Sequence, residues 1–185
     1  MPDASNPPVD EALLVRRARR GDHAAFAALY QRHARAVHAL AWRLSGDATL
    51  AEDLVQEAFL RMLRFIGGIR PELPVRPWLK RVVGNLAIDH LRRVWREQAL
   101  PEDGELVLTA NRGIDDIEQS SKVAELLRRL PPLARTLVWL HLVEGWSHGE
   151  LAARFRRSES WSKSIVSRAL ALLRRQAESR STDHE

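Results

Sequence analysis

The sequence has no cysteine and no long apolar run. Without thiols, the chain cannot form disulfides, use a thiolate nucleophile, bind zinc through cysteine or sense oxidants by itself. No apolar stretch approaches the roughly 20 residues that a membrane-spanning helix needs. Residues 1–10 also lack the apolar core of a secretory signal peptide. These absences predict a cytoplasmic protein without direct membrane insertion.

Lysine is also scarce, since nearly all of the 29 basic residues are arginine and the exceptions are Lys80, Lys122 and Lys163. Arginine binds phosphate and carboxylate through paired hydrogen bonds and stacks on bases, so this bias favours an anionic partner. The chain has 185 residues, a net charge of +5 and 45% hydrophobic residues. That composition supports a folded core, in one domain or two small ones.

Strand-forming patterns are nearly absent, because no alternating apolar run is bounded by turn residues. Apolar residues instead recur at steps of three and four, which is typical of helices. Asp22 and Asp47 are placed to cap two successive helices, and Pro77 stands where the first turn of a third helix tolerates proline. The predicted fold class is all-α.

Charge divides the chain into blocks. Residues 99–122 carry a net charge of −4 and contain Pro101 and Gly104, whereas residues 154–175 carry +6. The acidic stretch has the composition of a flexible linker between two small helical domains. We therefore predict a disordered lead over residues 1–10, a helical domain over 11–98, a linker over 99–121, a second helical domain over 122–178 and a disordered tail over 179–185.

The second block has the pattern of a helix-turn-helix. A short helix is predicted from His148 to Phe155 with Ser147 as its cap, followed after a tight connection by a long basic helix from Glu159 to about Glu178. Such a second helix can enter the major groove, where every base pair presents a readable edge. Four of its polar residues share one face by their spacing: Lys163, Ser164, Ser167 and Arg168.

The first block carries two candidate surfaces. On the helix after Asp47, an acidic and polar stripe with one leucine recurs at i, i+3, i+4 and i+7, and consists of Asp53, Gln56, Glu57 and Leu60. Such a stripe suits a partner helix with basic side chains, and the alternative is an ordinary solvated face. Leu63, on the same helix, is expected to face the interior.

The next helix follows an irregular loop and is rich in arginine. Arginine and asparagine beside an adaptable loop suit single-stranded DNA, whose unstacked bases can be held in pockets. The candidate DNA-binding residues on this helix are Arg76, Lys80, Asn85, Asp89, Arg92 and Arg93.

Five segments of the chain, taken in order, resemble the sigma subunits of bacterial RNA polymerase of the extracytoplasmic-function (ECF) class. They are LVRRARRGD (14–22), AEDLVQEAFLR (51–61), RPWLKRVVGNLAIDHLRR (76–93), LPPL (130–133) and VEGWSHGELAA (143–153). The resemblance covers roughly residues 11–98 and 122–176. It implies a transcription initiation factor that is not an enzyme and needs no cofactor.

The resemblance also implies a role for each candidate surface. The Asp53, Gln56, Glu57 and Leu60 stripe would dock on the clamp helices of the largest polymerase subunit. The loop from Ile69 to Pro74 and the six residues of the arginine-rich helix would bind the melted minus-ten strand. The Lys163, Ser164, Ser167 and Arg168 face would read the minus-thirty-five duplex of promoter DNA. Members of this class are commonly held inactive by an anti-sigma factor.

Three residues depart from the helix-turn-helix pattern. The turn usually has glycine where this chain has Arg156, and apolar residues where it has Arg157 and Ser162. Only glycine adopts a positive φ cheaply, so Arg156 indicates either a different turn or strain of about 1 kcal/mol. Ser162 removes an apolar contact that Trp161 is placed to replace. One hypothesis is that these changes weaken the helix-turn-helix, which a partner would then order.

Other functions stay open beside the resemblance. An ordinary helix-turn-helix regulator requires a dimer and palindromic half-sites, and it leaves the stripe and the arginine-rich helix unexplained. A sigma-like adaptor accommodates the three departures. A metalloenzyme is disfavoured because the sequence has neither an HExxH motif nor an inward Glu-x-x-His pair, so no metal site is expected.

Overall fold

The protein is described by a computed structural model that covers residues 9–97 and 127–182. The predicted linker, residues 1–8 of the predicted lead and residues 183–185 of the predicted tail lie outside the described residues. Within them the chain forms α1 (Val9–Ala18), α2 (His23–Ser45), α3 (Ala48–Phe65), a 3₁₀ turn (Ile66–Gly68), α4 (Val75–Glu97), α5 (Pro132–Leu142), α6 (His148–Phe155) and α7 (Glu159–Thr182). No strand occurs in these two ranges, so the all-α prediction is confirmed.

By its contacts the chain divides into two compact units. The first comprises Met1–Trp42 and Ala48–Leu86, and the second comprises Arg43–Asp47 and Ala87–Glu185. The predicted domain limits at residues 98 and 122 follow charge and composition, and they remain predictions. No helix in the two described ranges combines the length and the apolarity needed to cross a membrane.

The first and last helices extend into the segments that were predicted to be disordered. Helix α1 begins at Val9, inside the predicted lead, and its first turn contains Asp10 and Glu11. Acidic side chains stabilise the first turn because they face the positive end of the helix dipole. Helix α7 continues to Thr182, inside the predicted tail, since neither glycine nor proline follows Glu178 to end it.

The first unit has a core of apolar side chains from its helices. Four of them are 0% exposed: Leu29, Val37, Met62 and Leu79. The predicted cap of α2 is confirmed, since Asp22 Oδ1 accepts a hydrogen bond from the Ala25 backbone N–H at 3.0 Å. This bond satisfies one of the backbone donors that a helix start leaves free.

A buried carboxylate joins three helices of the first unit. Glu11 on α1 is 3% exposed. Its Oε1 accepts a hydrogen bond at 3.0 Å from the backbone N–H of Val75, where α4 begins. Its Oε2 lies 3.0 Å from His33 Nε2 on α2 and 3.8 Å from Arg32 Nη1. Burial lowers the pKa of His33, and Glu11 acts in the opposite direction.

The second unit buries an arginine on α5. Arg135 is 1% exposed, and its Nη2 donates a hydrogen bond to the Ser45 carbonyl at 3.3 Å. Its Nε and Nη1 have no hydrogen-bond partner within the described part of the chain. Burial, with a smaller contribution from Arg128, lowers the pKa of Arg135 to about 10. The guanidinium fills the space beside Gly46 so closely that a Cβ there would overlap it.

Candidate protein- and nucleic-acid-binding surfaces

The stripe predicted on α3 lies at the surface of the first unit. Asp53 and Gln56 are exposed, and Leu60 is 39% exposed. Glu57 is partly covered, and its Oε1 accepts a hydrogen bond from Arg61 Nε at 2.9 Å. The acidic charge of Glu57 is therefore partly balanced within its own helix, and Asp53 carries more of the net charge of the stripe.

An apolar groove of about 480 Å³ lies beside the stripe, between α2 and α3. Gln56 and Leu60 form one side of it, and Tyr30 packs on Phe59 with ring centroids 4.6 Å apart. Leu63 also lines the groove and is 47% exposed, so the prediction that it faces the interior is wrong. Met62 takes the inward position, and one residue further turns the helix by about 100°.

The groove adds a feature that the spacing of α3 alone does not reveal. Tyr30, Leu60 and Leu63 are large apolar side chains that keep 45%, 39% and 47% of their surface. Their grouping depends on how α2 packs on α3. Together, the stripe and the groove form a surface that is apolar in its centre and acidic at its edge, which suits a helix bearing apolar and basic side chains.

The residues predicted on α4 lie on two sides of that helix. Arg76 and Lys80 are four residues apart and share one side. Asn85 stands nine residues after Arg76, which is about half a turn away at 100° per residue. Asp89 and Arg92 follow Asn85 at steps of four and three, so they continue its side of the helix. Arg93 lies beside that stripe.

Two polar contacts along α4 join residues of neighbouring helical turns. Arg92 Nη1 lies 3.9 Å from Asp89 Oδ1, and Arg93 Nη2 lies 3.2 Å from His90 Nδ1. Asn85 Oδ1 is buried and has no hydrogen-bond partner within the described residues. An amide in this position retains capacity for a polar ligand, because buried polar atoms are normally paired.

The segment between α3 and α4 is irregular and displays apolar side chains. Phe65, the last residue of α3, is 62% exposed, and Leu73 in the segment that follows is 51% exposed, whereas Ile69 is buried at 7%. Ile69 thus anchors the segment to the core of the first unit. Exposed aromatic and aliphatic side chains beside cationic groups are what unstacked bases require.

All four residues of the predicted reading face on α7 are exposed. Lys163, Ser164, Ser167 and Arg168 all face solvent, whereas Val166 and Ala169 lie in the core of the second unit. Lys163 Nζ pairs with Glu159 Oε1 at 2.6 Å, one turn earlier, and this contact lowers the pKa of Glu159. The spacing alone therefore identified which side of α7 is available to a ligand.

The turn between α6 and α7 keeps the left-handed residue that glycine usually supplies. Arg156 has φ 57° and ψ 44°, and it is the one non-glycine residue with positive φ in the described ranges. The backbone N–H of Arg157 bonds to the Ala152 carbonyl at 2.9 Å, which closes the end of α6. Of the two alternatives for Arg156, the structure therefore has the strained one and not a different turn.

Ser147 caps α6 as predicted, and the cap is reciprocal. Its Oγ accepts from the Glu150 backbone N–H at 3.1 Å, and Glu150 Oε2 accepts from the Ser147 backbone N–H at 2.9 Å. Ser158 Oγ accepts from the Trp161 backbone N–H at 3.2 Å at the start of α7. Both helices of the motif therefore begin at side-chain caps.

Ser162, the third departure, is 0% exposed and has a polar partner. Its Oγ lies 3.1 Å from His148 Nδ1. Trp161 packs on Phe155 with ring centroids 5.2 Å apart and on Trp95 at 6.2 Å. Trp161 thus supplies apolar packing beside Ser162, and the hydroxyl forms a contact that sequence reasoning missed. Within the described ranges, no group of three or more metal-ligating side chains is present.

Comparison with known families gives two matches. The family model described as Sigma-70 region 2 matches residues 29–97, and the family model described as Sigma-70, region 4 matches residues 120–173. The first match contains the α3 stripe and the α4 residues. The second contains the helix-turn-helix and its reading face.

Two curated relatives are similar to this chain. The ECF RNA polymerase sigma factor SigM of Mycobacterium tuberculosis is 34% identical over 155 residues, which cover 84% of this chain and 78% of SigM. The ECF RNA polymerase sigma factor SigE of Mycolicibacterium smegmatis is 39% identical over 142 residues, which cover 72% of this chain. The matched residues span only 55% of the length of SigE.

Several solved structures match this chain, and one of them illustrates the shared fold. It is the sigma factor RpoE of Bartonella quintana in a co-crystal with the anti-sigma factor NepR. It aligns with a TM-score of 0.53 and 24% sequence identity, and the alignment covers 83% of this chain and 96% of RpoE.

Proposed function

The chain belongs to the ECF class of RNA polymerase sigma factors, and from this we propose that it directs the polymerase core to specific promoters and starts transcription there. In this proposal the chain carries no catalytic activity of its own and works in the cytoplasm. The polymerase forms the RNA, while this chain contributes binding and DNA recognition.

The observation that carries the proposal is the α3 surface. It combines the exposed Asp53 and Gln56 with an apolar groove that contains Leu60 and Leu63. An operator-binding regulator that acts through the helix-turn-helix alone needs no such surface. We propose that the surface holds the clamp helices of the largest polymerase subunit, with apolar side chains in the groove and basic ones against Asp53 and Glu57.

The two DNA elements are assigned to separate residues. The exposed face of Lys163, Ser164, Ser167 and Arg168 would read the minus-thirty-five duplex in the major groove. The α3–α4 segment with Asn85, Asp89, Arg92 and Arg93 would hold the melted minus-ten strand. Arg76 and Lys80 lie on the other side of α4, so their proposed role is attraction of the phosphate backbone.

Control by an anti-sigma factor is part of the same proposal. The family resemblance supports it, and a sigma factor of the same fold, RpoE, has been solved with NepR bound. The apolar groove on α3 is a surface that such an inhibitor would compete for. An adaptor role without promoter recognition is the alternative, and it predicts polymerase binding without new transcripts.

The test uses the full chain with purified core polymerase. Wild type is expected to produce promoter-specific run-off transcripts from a promoter library. Reversing both charges, Asp53→Lys with Glu57→Lys, should weaken core binding about tenfold or more, because like charges would then face the basic partner. The measurement is competition against the housekeeping sigma factor, with circular dichroism to verify the helical fold.

Glu72→Lys supplies the matched control, since Glu72 is an exposed acid of the first unit outside α3. Its core binding should equal that of wild type. Equal competition by the double variant would refute docking through α3. Tight binding to palindromic duplexes without polymerase, together with no transcripts, would favour the ordinary regulator.

A further inference from the structure

A partly buried polar contact joins the two helices of the helix-turn-helix next to the reading face. Ser162 on α7 is 0% exposed and directly precedes Lys163 in the sequence. Its Oγ lies 3.1 Å from Nδ1 of His148, the first residue of α6. From the sequence, an apolar residue is expected at this position, so the polar pair was not predicted.

The His148 ring is held in place by a second histidine. The rings of His141 and His148 lie with centroids 3.9 Å apart and planes inclined by 30°. His141 Nδ1 lies 2.7 Å from the Trp146 carbonyl oxygen. Because a carbonyl only accepts hydrogen bonds, His141 Nδ1 carries the hydrogen. The backbone between α5 and α6 therefore fixes His141, which supports His148.

The charge state of the pair suits this arrangement. Burial lowers the pKa of His148, and His141 and Lys163 act in the same direction, while Glu159 opposes them. The lowered pKa favours the neutral imidazole of His148, which does not repel the ring stacked on it. A neutral imidazole has one donor and one acceptor nitrogen, and the serine hydroxyl can pair with either.

We propose that the hydrogen bond between His148 and Ser162 is a positioning contact that sets how the reading face of α7 meets the bases. The inference rests on the proposed function, in which that face reads the minus-thirty-five element. Apolar packing is non-directional and tolerates sliding of one helix on another. A hydrogen bond weakens steeply with distance and angle, so it restricts the rotation and shift of α7. The residues act on DNA recognition through Lys163 and Ser164, without contact to the bases.

The test compares variants of residue 148 whose polar side-chain atoms lie near the position of either Nδ1 or Nε2 of the histidine. An asparagine amide places a nitrogen or oxygen near the position of histidine Nδ1, whereas a glutamine amide reaches towards Nε2. His148→Asn can therefore restore the bond to Ser162, and His148→Gln cannot. Both lose the ring that stacks on His141, so each serves as the control of the other. Ser162→Ala removes the other partner with almost no change in volume.

The measurement is run-off transcription by the holoenzyme on a promoter selected from the library and on versions with single base changes in the minus-thirty-five element. Discrimination is the ratio of transcription from the matched and changed promoters. We expect Ser162→Ala and His148→Gln to lower this ratio about three- to tenfold, and His148→Asn to keep it near wild type. Thermal melts of the same proteins report whether each variant is folded.

Equal discrimination by the Asn and Gln variants would overturn the inference, because the bond would then serve stability alone. The same holds if Ser162→Ala lowers transcription from matched and changed promoters by one common factor. These outcomes leave wild-type transcription intact, so they bear only on the positioning contact. Absence of promoter-specific transcripts with wild type would instead refute the proposed function.

Discussion

The two units bury charge in opposite ways. In the first unit, Glu11 is 3% exposed, its Oε1 accepts a hydrogen bond from the Val75 N–H, and its Oε2 lies 3.0 Å from His33 Nε2 and 3.8 Å from Arg32 Nη1. In the second unit, Arg135 is 1% exposed, but only Nη2 forms a hydrogen bond, to the Ser45 carbonyl. A buried charge with partners becomes costly when a partner is removed, whereas a buried charge without them is itself the cost. Although Glu11 and Arg135 are about equally buried, we therefore expect their substitution to change the free energy of unfolding in opposite directions.

The partners of each group explain this contrast. Glu11 accepts a hydrogen bond from the backbone N–H of Val75 and has His33 and Arg32 within 4 Å of its other oxygen. Arg135 has no hydrogen bond at Nε or Nη1 within the described residues, and burial lowers its pKa to about 10. Two substitutions test whether partners, and not burial, decide the sign of the change in unfolding free energy.

The largest effect is expected at Glu11. Glu11→Ala should lower the free energy of unfolding by about 3 kcal/mol, because it leaves the Val75 N–H buried without its acceptor and removes the carboxylate beside His33 and Arg32. Glu11→Gln keeps an oxygen for Val75, so its loss should be smaller. Denaturant unfolding of the full chain, followed by circular dichroism, measures both. A loss below about 1 kcal/mol for Glu11→Ala would show that water replaces the carboxylate.

Arg135→Met should have the opposite sign. It removes a buried guanidinium whose Nε and Nη1 have no hydrogen-bond partner within the described residues, at the cost of the single bond to Ser45, and it retains much of the side-chain volume beside Gly46. The unfolding free energy should therefore rise by about 1–2 kcal/mol. Arg135→Ala is the matched control, because it also removes the charge but leaves a cavity, and it should destabilise. Should Met destabilise as much as Ala, the guanidinium is paired in solution and the contrast with Glu11 is lost.

Local patterns predicted most of the fold. Helix periods, the caps Asp22 and Ser147, and the exposed side of α7 each depend on residues within a few positions of one another. Such features are encoded by spacing and by backbone chemistry, so a single sequence reveals them. The reading face was therefore predicted as a group, and the structure places its four residues together.

Features that depend on packing between distant segments were not predictable in this way. The Glu11 carboxylate meets the Val75 N–H 64 residues later. Leu63 is exposed because of how α2 and α3 pack, and Ser162 is paired because His148 stands opposite it. No period or composition in the sequence signals these contacts.

The α4 residues show a different limit. They were chosen by residue type, and their spacing places Arg76 and Lys80 about half a turn from Asn85. The nine-residue separation was available in the sequence, so a test of helical phase would have divided the set. Residue chemistry without helical phase therefore identifies a candidate binding helix but not which of its sides would bind.

The smallest expected effect concerns one residue with positive φ from each unit. Gly21 in the first unit has φ 85° with open space around it, and Arg156 in the second has φ 57°. Gly21→Ala should lower the unfolding free energy by about 1 kcal/mol, and Arg156→Gly should raise it by about 0.5–1 kcal/mol, since glycine alone adopts this conformation without strain. Thermal and denaturant unfolding of both variants measure the pair. If Arg156→Gly instead destabilises, the arginine side chain contributes contacts that outweigh the backbone strain. The helix-turn-helix would then be stabilised by its departure from glycine, and the hypothesis of a weakened motif would no longer hold for this position.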